Sequence, residues 1–169
     1  MDHDDPDWDD AQEGAELLGE ELVEEAIVEL TRVLEENPRN AYAFFFLGNA
    51  HFEKEDWQRA LKAYLTALEI SPEYLGAMVG AGHALRMMGK SKEALRMVAQ
   101  VLARNPNDAD AFYLAGVTHF YRGEDAKAYE FLRRFLATDP DAEVRLEVVG
   151  MLEVLQGKIL TPPDPDDVN

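Results

Sequence analysis

The sequence predicts an all-α fold, a solenoid of antiparallel helix pairs, and three observations predict it. Prolines recur every 34 residues, at Pro38, Pro72, Pro106 and Pro140. Glycines keep that step at Gly48, Gly82, Gly116 and Gly150, and so do alanines at Ala26, Ala60, Ala94 and Ala128. Three registers on one period mark a copied helix–turn–helix unit. Such a unit cannot bury its apolar face alone, so the copies stack.

The elements follow in order. Residues 1–10, MDHDDPDWDD, are rich in acid and poor in apolar side chains. They read as a disordered acidic tail in which Trp8 is solvated, with contact to a partner or to the array as the alternatives. Ala11–Gly19 has Leu17 and Leu18 as its large apolar residues and reads as a short, frayed helix. Glu21–Glu36 is amphipathic: Leu22, Ala26, Leu30 and Val33 recur at helical spacing, and Ile27 and Leu34 widen the stripe. Asn37-Pro38 ends it, because the residue before proline is pushed out of the α region. Residues 11–40 thus form a degenerate first unit.

Three full repeats follow, at 41–74, 75–108 and 109–142. Each opens with a first helix and turns at Glu55-Asp56, Gly89-Lys90 or Gly123-Glu124. Each then runs a second helix to Ile70, Arg104 or Thr138 and stops at Ser-Pro, Asn-Pro or Asp-Pro. A capping helix over 142–157 repeats the first-helix pattern, stops at Gly157 and has no partner after it. Residues 158–169, with Pro162, Pro163 and Pro165, read as a flexible tail. The periodic glycines and alanines are placed where the two helices of a unit cross, and a side chain larger than methyl would part them there.

These residues resemble the tetratricopeptide repeat. Phe44, Leu47, Gly48, His51, Ala60, Tyr64, Ala67 and Pro72 fall at that family's signature positions. In the third repeat Phe112, Gly116, His119, Ala128, Leu132, Phe135 and Pro140 do so too. The second repeat departs most, with Met78 and Val98 at its aromatic positions. The resemblance covers roughly residues 18–157. It implies a right-handed superhelical array that binds peptides or helices in a concave groove lined by the first helices.

Charge narrows the partner. The net charge is −18, and residues 1–40 hold 15 acids against Arg32 and Arg39. Polyanionic flanks repel phosphate backbones and anionic bilayers, so neither nucleic acid nor membrane insertion is expected. There is no cysteine, and no nucleophile–base pair or metal-ligand spacing stands out, so the sequence reads as a non-enzyme without cofactor or metal. His51 and His119 share one repeat position and read as packing imidazoles.

Counting from the glycines, the groove residues are Tyr42, Phe45, Asn49 and Phe52 in the first repeat. Val79, His83 and Arg86 follow from the second, Tyr113, Val117 and Phe120 from the third, and Met151 from the cap. Phe46 is either groove or core. Gly76 and Gly80 predict a hollow for a partner's large apolar side chain. The subgroup that clamps chaperone C-termini through Lys, Asn, Asn, Lys and Arg is excluded. Its positions read Phe45, Asn49, Gly80, Asp110 and Leu114 here, and all three cations are lost. The expected role is a cytoplasmic, bacterial adaptor that grips a peptide or helix with apolar anchors. The alternatives are a chaperone resembling the class II type III secretion group, for hydrophobic translocators, and a self-assembling homo-oligomeric scaffold.

Overall fold

The computed structural model describes residues 5–160, with side chains through Gly157. Among these residues there are nine α-helices and no strand. They are α1 (Pro6–Gly19), α2 (Val23–Glu36), α3 (Ala41–Glu53), α4 (Trp57–Ile70), α5 (Leu75–Met87), α6 (Ser91–Arg104), α7 (Ala109–Tyr121), α8 (Asp125–Leu136) and α9 (Ala142–Leu160). The fold is an all-α helical-repeat solenoid. It divides after Ala103 into two compact units. In the first, α1 packs on α2 and α3, and α4 packs on α3 and α5. In the second, α8 packs on both α7 and α9.

One local device closes four hairpins. Glu21, Glu55, Gly89 and Gly123 stand at the same 34-residue step, and all four have positive φ, between 57° and 75°. The residue after each donates its backbone N–H to the carbonyl five residues back. Leu22 bonds Leu17, Asp56 bonds His51, Lys90 bonds Leu85 and Glu124 bonds His119, at 2.8–3.0 Å. This left-handed stop satisfies the last carbonyls of the first helix and reverses the chain. Glycine adopts it freely, whereas the two glutamates carry a steric cost. The second helices stop ahead of their prolines, α4 and α6 at the expected Ile70 and Arg104 but α8 at Leu136, two residues short of Thr138, and Asn40 and Asp108 then cap α3 and α7. Tyr74 holds the same register before α5 and makes no side-chain cap bond.

The glycine register has the predicted cause where the contact is visible. A Cβ on Gly48 would lie 2.5 Å from the Tyr64 ring, and one on Gly116 would lie 2.5 Å from Leu132. At Gly150 nothing among the described residues stands within 4 Å.

Three sequence expectations are corrected. Residues 6–10 are not a disordered tail but the start of α1. Asp5 caps that helix by accepting from the Asp7 N–H at 3.0 Å, and Pro6 sits in its first turn, where no N–H is needed. Trp8 packs edge-on to Tyr42 at 5.6 Å and against Phe46 at the same distance. Asn37 and Asn40 donate to the Asp7 carboxylate and carbonyl at 2.8 and 2.7 Å. Capping and two aromatic contacts outweigh the acidic composition. Residues 1–4 lie outside the described residues.

Second, the first unit is not degenerate at its crossing. Gly14 continues the glycine register one step back, and its Cβ would meet Leu30 at 2.5 Å. Ala11, Gly14 and Leu18 bury one face of a 14-residue α1. Third, the last helix passes through Gly157 and continues to Leu160. A lone glycine costs a helix about 1 kcal/mol and does not by itself end it. The predicted flexible tail lies almost wholly beyond the described residues.

Candidate protein-interaction surface

The first helices carry the predicted groove residues, and their backbones fix which residues share a face. In the first unit Tyr42, Phe45, Asn49 and Phe52 lie on α3 at spacings of three and four and are all partly exposed. Phe46 is core, 9% exposed and held by Trp8.

Two aromatic groups form on this unit. Tyr42 and Phe45 both meet Tyr74, at 5.6 and 4.9 Å between ring centres. Further along α3, Phe52 packs edge-on against Trp57 at 4.7 Å and against His83 at 6.3 Å. Such tilted and edge-on pairs align ring edges with ring faces, which fixes their orientation. His83 is held neutral: burial, and then the neighbouring Arg86, push its pKa down to about 4. At neutral pH it offers one N–H donor and one ring acceptor rather than a charge. Asn49 accepts from the Tyr64 hydroxyl at 2.8 Å, which orients its amide.

The predicted hollow is absent. A Cβ at Gly80 would strike the Tyr64 ring at 2.5 Å, and one at Gly76 would meet Tyr74 at 3.2 Å and Phe45 at 3.3 Å. The glycines admit the protein's own rings instead. Tyr64, 3% exposed, slots against both Gly48 and Gly80. Val79 is also corrected: at 8% exposure it belongs to the core and not to a surface.

In the second unit Tyr113, Phe120 and Met151 are partly exposed. The Tyr113 hydroxyl donates to the Glu147 carboxylate at 3.2 Å, and its ring packs on Phe135 at 5.2 Å. Phe120 stands edge-on to Tyr121 at 5.5 Å. Val117 is 2% exposed and is withdrawn from the surface. His119 is 6% exposed, stacks on Phe131 and bonds Glu124 at 2.7 Å, a packing role as read from sequence. Arg122 and then His119 draw the Glu124 carboxyl down to about 2.

Sequence reasoning missed Trp57 and Tyr74 as surface formers, and it gave contact of Trp8 with the array only as an alternative to a solvated tail. Tyr74 had a signal. It occupies the register of Asn40 and Asp108, and an aromatic residue where two polar caps stand marks a different task. Trp8 had one too, in the Asp-Pro helix start just ahead of it.

No helix among the described residues is long and apolar enough to cross a membrane. The TPR domain model of cytochrome c-type biogenesis protein H matches residues 10–145. Tetratricopeptide repeat protein 8 of Caenorhabditis elegans is 25% identical over 115 residues, 68% of this chain but 22% of that protein's length. The chain thus spans about a fifth of that relative. Among solved structures, the thermophilic TPR protein TTC0263 of Thermus thermophilus superposes with a TM-score of 0.76 at 22% identity, covering 91% of this chain and 83% of that one. YrrB, described as a TPR protein with an unusual peptide-binding site, gives a TM-score of 0.64 at 21% identity over 86% of this chain and 73% of that one. With helix pairs, glycine crossings and a family match along most of its length, the chain belongs to the family of that domain model and is a tetratricopeptide-repeat protein.

Proposed function

We propose that this chain is a protein-interaction adaptor that grips a peptide or helix of a partner protein on the first-helix face. The observation that carries it is the row of partly exposed aromatic side chains on α3 and at the starts of α4 and α5. Tyr42 and Phe45 gather at Tyr74, and Phe52 gathers with Trp57 and His83. Rings held in fixed orientations offer a partner large apolar area at little entropic cost. Asn49, the neutral His83 and Arg86 set direction through hydrogen bonds, and the second unit by itself offers Tyr113, Phe120 and Met151 as partly exposed apolar side chains. The described peptide-binding site of YrrB, a neighbour in fold, supports the same class of role. Self-assembly through α1 is the weaker reading. The apolar face of α1 is already spent on α2 and α3, with Ala11 fully buried and Leu18 9% exposed.

The test is site-specific photo-crosslinking in native host lysate. A benzophenone side chain replaces Tyr42 or Phe52, and the control replaces Lys62, exposed on α4. Crosslinks of one partner from positions 42 and 52, absent from 62, are expected. Crosslinks from 62 alone would overturn the groove assignment.

A further inference from the structure

At one end of α3 and α5 lies a cavity of about 620 Å³, and its walls are of two kinds. Tyr42 and Tyr74 supply aromatic surface, their ring centres 5.6 Å apart and their planes inclined at 66°. Asp5, Asp7 and Glu73 supply acid, and no lysine or arginine lines it. Asp5 and Asp7 are fixed in place. One oxygen of each takes an internal bond, from the Asp7 N–H and from Asn37. Their second oxygens take none among the described residues.

The Tyr74 hydroxyl is buried and has no hydrogen-bond partner among the described residues. Burial, and then Tyr42, hold its pKa well above the ordinary phenol value, so it stays protonated. The hydroxyl oxygen is closed off from the cavity, so Tyr74 meets a ligand there through its ring. The surrounding field selects the sign of that ligand. Residues 1–40 carry 15 acids against two arginines, and three acids line this one cavity. The partial positive charge where α5 begins, about half an elementary unit, is smaller than that of three carboxylates.

We propose that this cavity seats an arginine side chain of the partner segment. A guanidinium is planar, stacks on tyrosine and donates in a fork to carboxylates, which matches both kinds of wall. The inference rests on the adaptor reading and names one residue of its partner. The aromatic groups supply apolar contact, and this cavity supplies charge and register.

The test uses the full chain, 15N-labelled, titrated with N-acetyl-arginine N-methylamide. The matched probe is the citrulline compound, which has the same shape and no charge. Saturable shifts at the amides of Ser71, Glu73 and Gly76 are expected for arginine, with citrulline at least about tenfold weaker. The double variant Asp5→Asn, Asp7→Asn keeps the cap and the Asn37 bond while removing two charges, and it weakens binding at least about fivefold. Tyr74→Leu, which removes the stacking ring, also weakens binding, whereas Tyr74→Phe, which keeps the ring, binds as the wild type does. Equal response to both probes, shifts mapping elsewhere, or wild-type binding by the double variant would each overturn the proposal. Phe52→Ala separates the two readings, because Phe52 does not line the cavity. It should leave arginine binding intact and abolish partner crosslinking from position 42. Crosslinking that survives without arginine binding sinks this inference and leaves the adaptor. Arginine binding without any crosslinked partner sinks the adaptor, and with it the partner assigned here.

Discussion

Gly48→Ala and Gly150→Ala place one methyl at the same repeat position in two environments, and only the second should stabilise the protein. Both sites are helical with ordinary φ, so alanine gains about 1 kcal/mol of helix propensity at each. At Gly150 nothing stands within 4 Å, and that gain is the whole effect. At Gly48 the new Cβ would lie 2.5 Å from a Tyr64 ring carbon, against 3.4 Å for ordinary contact. Ring or helix must yield by about 0.9 Å. The ring is poorly placed to yield: Gly80 on α5 bounds it as closely, and its hydroxyl is bonded to Asn49. Overpacking of this kind costs about 1–3 kcal/mol. Gly48→Ala should therefore range from neutral to about 2 kcal/mol destabilising, and Gly150→Ala should stabilise by about 1 kcal/mol. For a chain of this length each kcal/mol moves the melting temperature by about 2–4 °C. Urea titration followed by circular dichroism measures both, with an unchanged m-value as the control. A Gly48→Ala protein as stable as Gly150→Ala would refute the crossing argument.

Three other outcomes are expected. Glu55→Gly should stabilise by about 0.5–1 kcal/mol, because it relieves a left-handed residue that Gly89 and Gly123 already relieve in their hairpins; a lower urea midpoint would contradict this. Leu30→Ala empties the space over Gly14 and should cost about 2–5 kcal/mol, read by the same titration; a loss under 1 kcal/mol would mean that α1 is not part of the folded array. Stability should fall as pH drops from 6.5 toward 4, since the unfolded chain binds a proton at His83 that the folded chain, with a pKa of about 4, refuses. His83→Gln should flatten this slope by at most about 2 kcal/mol between pH 7 and 5, and parallel pH profiles for the two proteins would remove His83 as its source.

Periodicity made the array legible because every copy meets the same steric demand. A helix crossing needs a small residue whatever the partner, so Gly48 and Gly116 announce their role in one dimension, and Gly14 does so once the register is extended. Turn chemistry is equally local: Glu55 and Gly123 share a backbone state that the fold imposes at a fixed count from the glycine. Exposure is different. Whether Phe46 faces solvent depends on which ring from another helix arrives there, and that ring, Trp8, lies tens of residues away.

The sequence by itself determined the repeat unit, its hairpin turns and which helix face carries the aromatic residues, because those follow from spacing along one chain. Only the tertiary structure decided which of those rings stay open. Tyr64 and Tyr74 fill the space that Gly76 and Gly80 leave, and Trp8 brings an acidic segment into the fold and its carboxylates beside Tyr42. Close packing admits whichever side chain reaches a gap first, and that is a property of three-dimensional neighbours that no count along the chain contains.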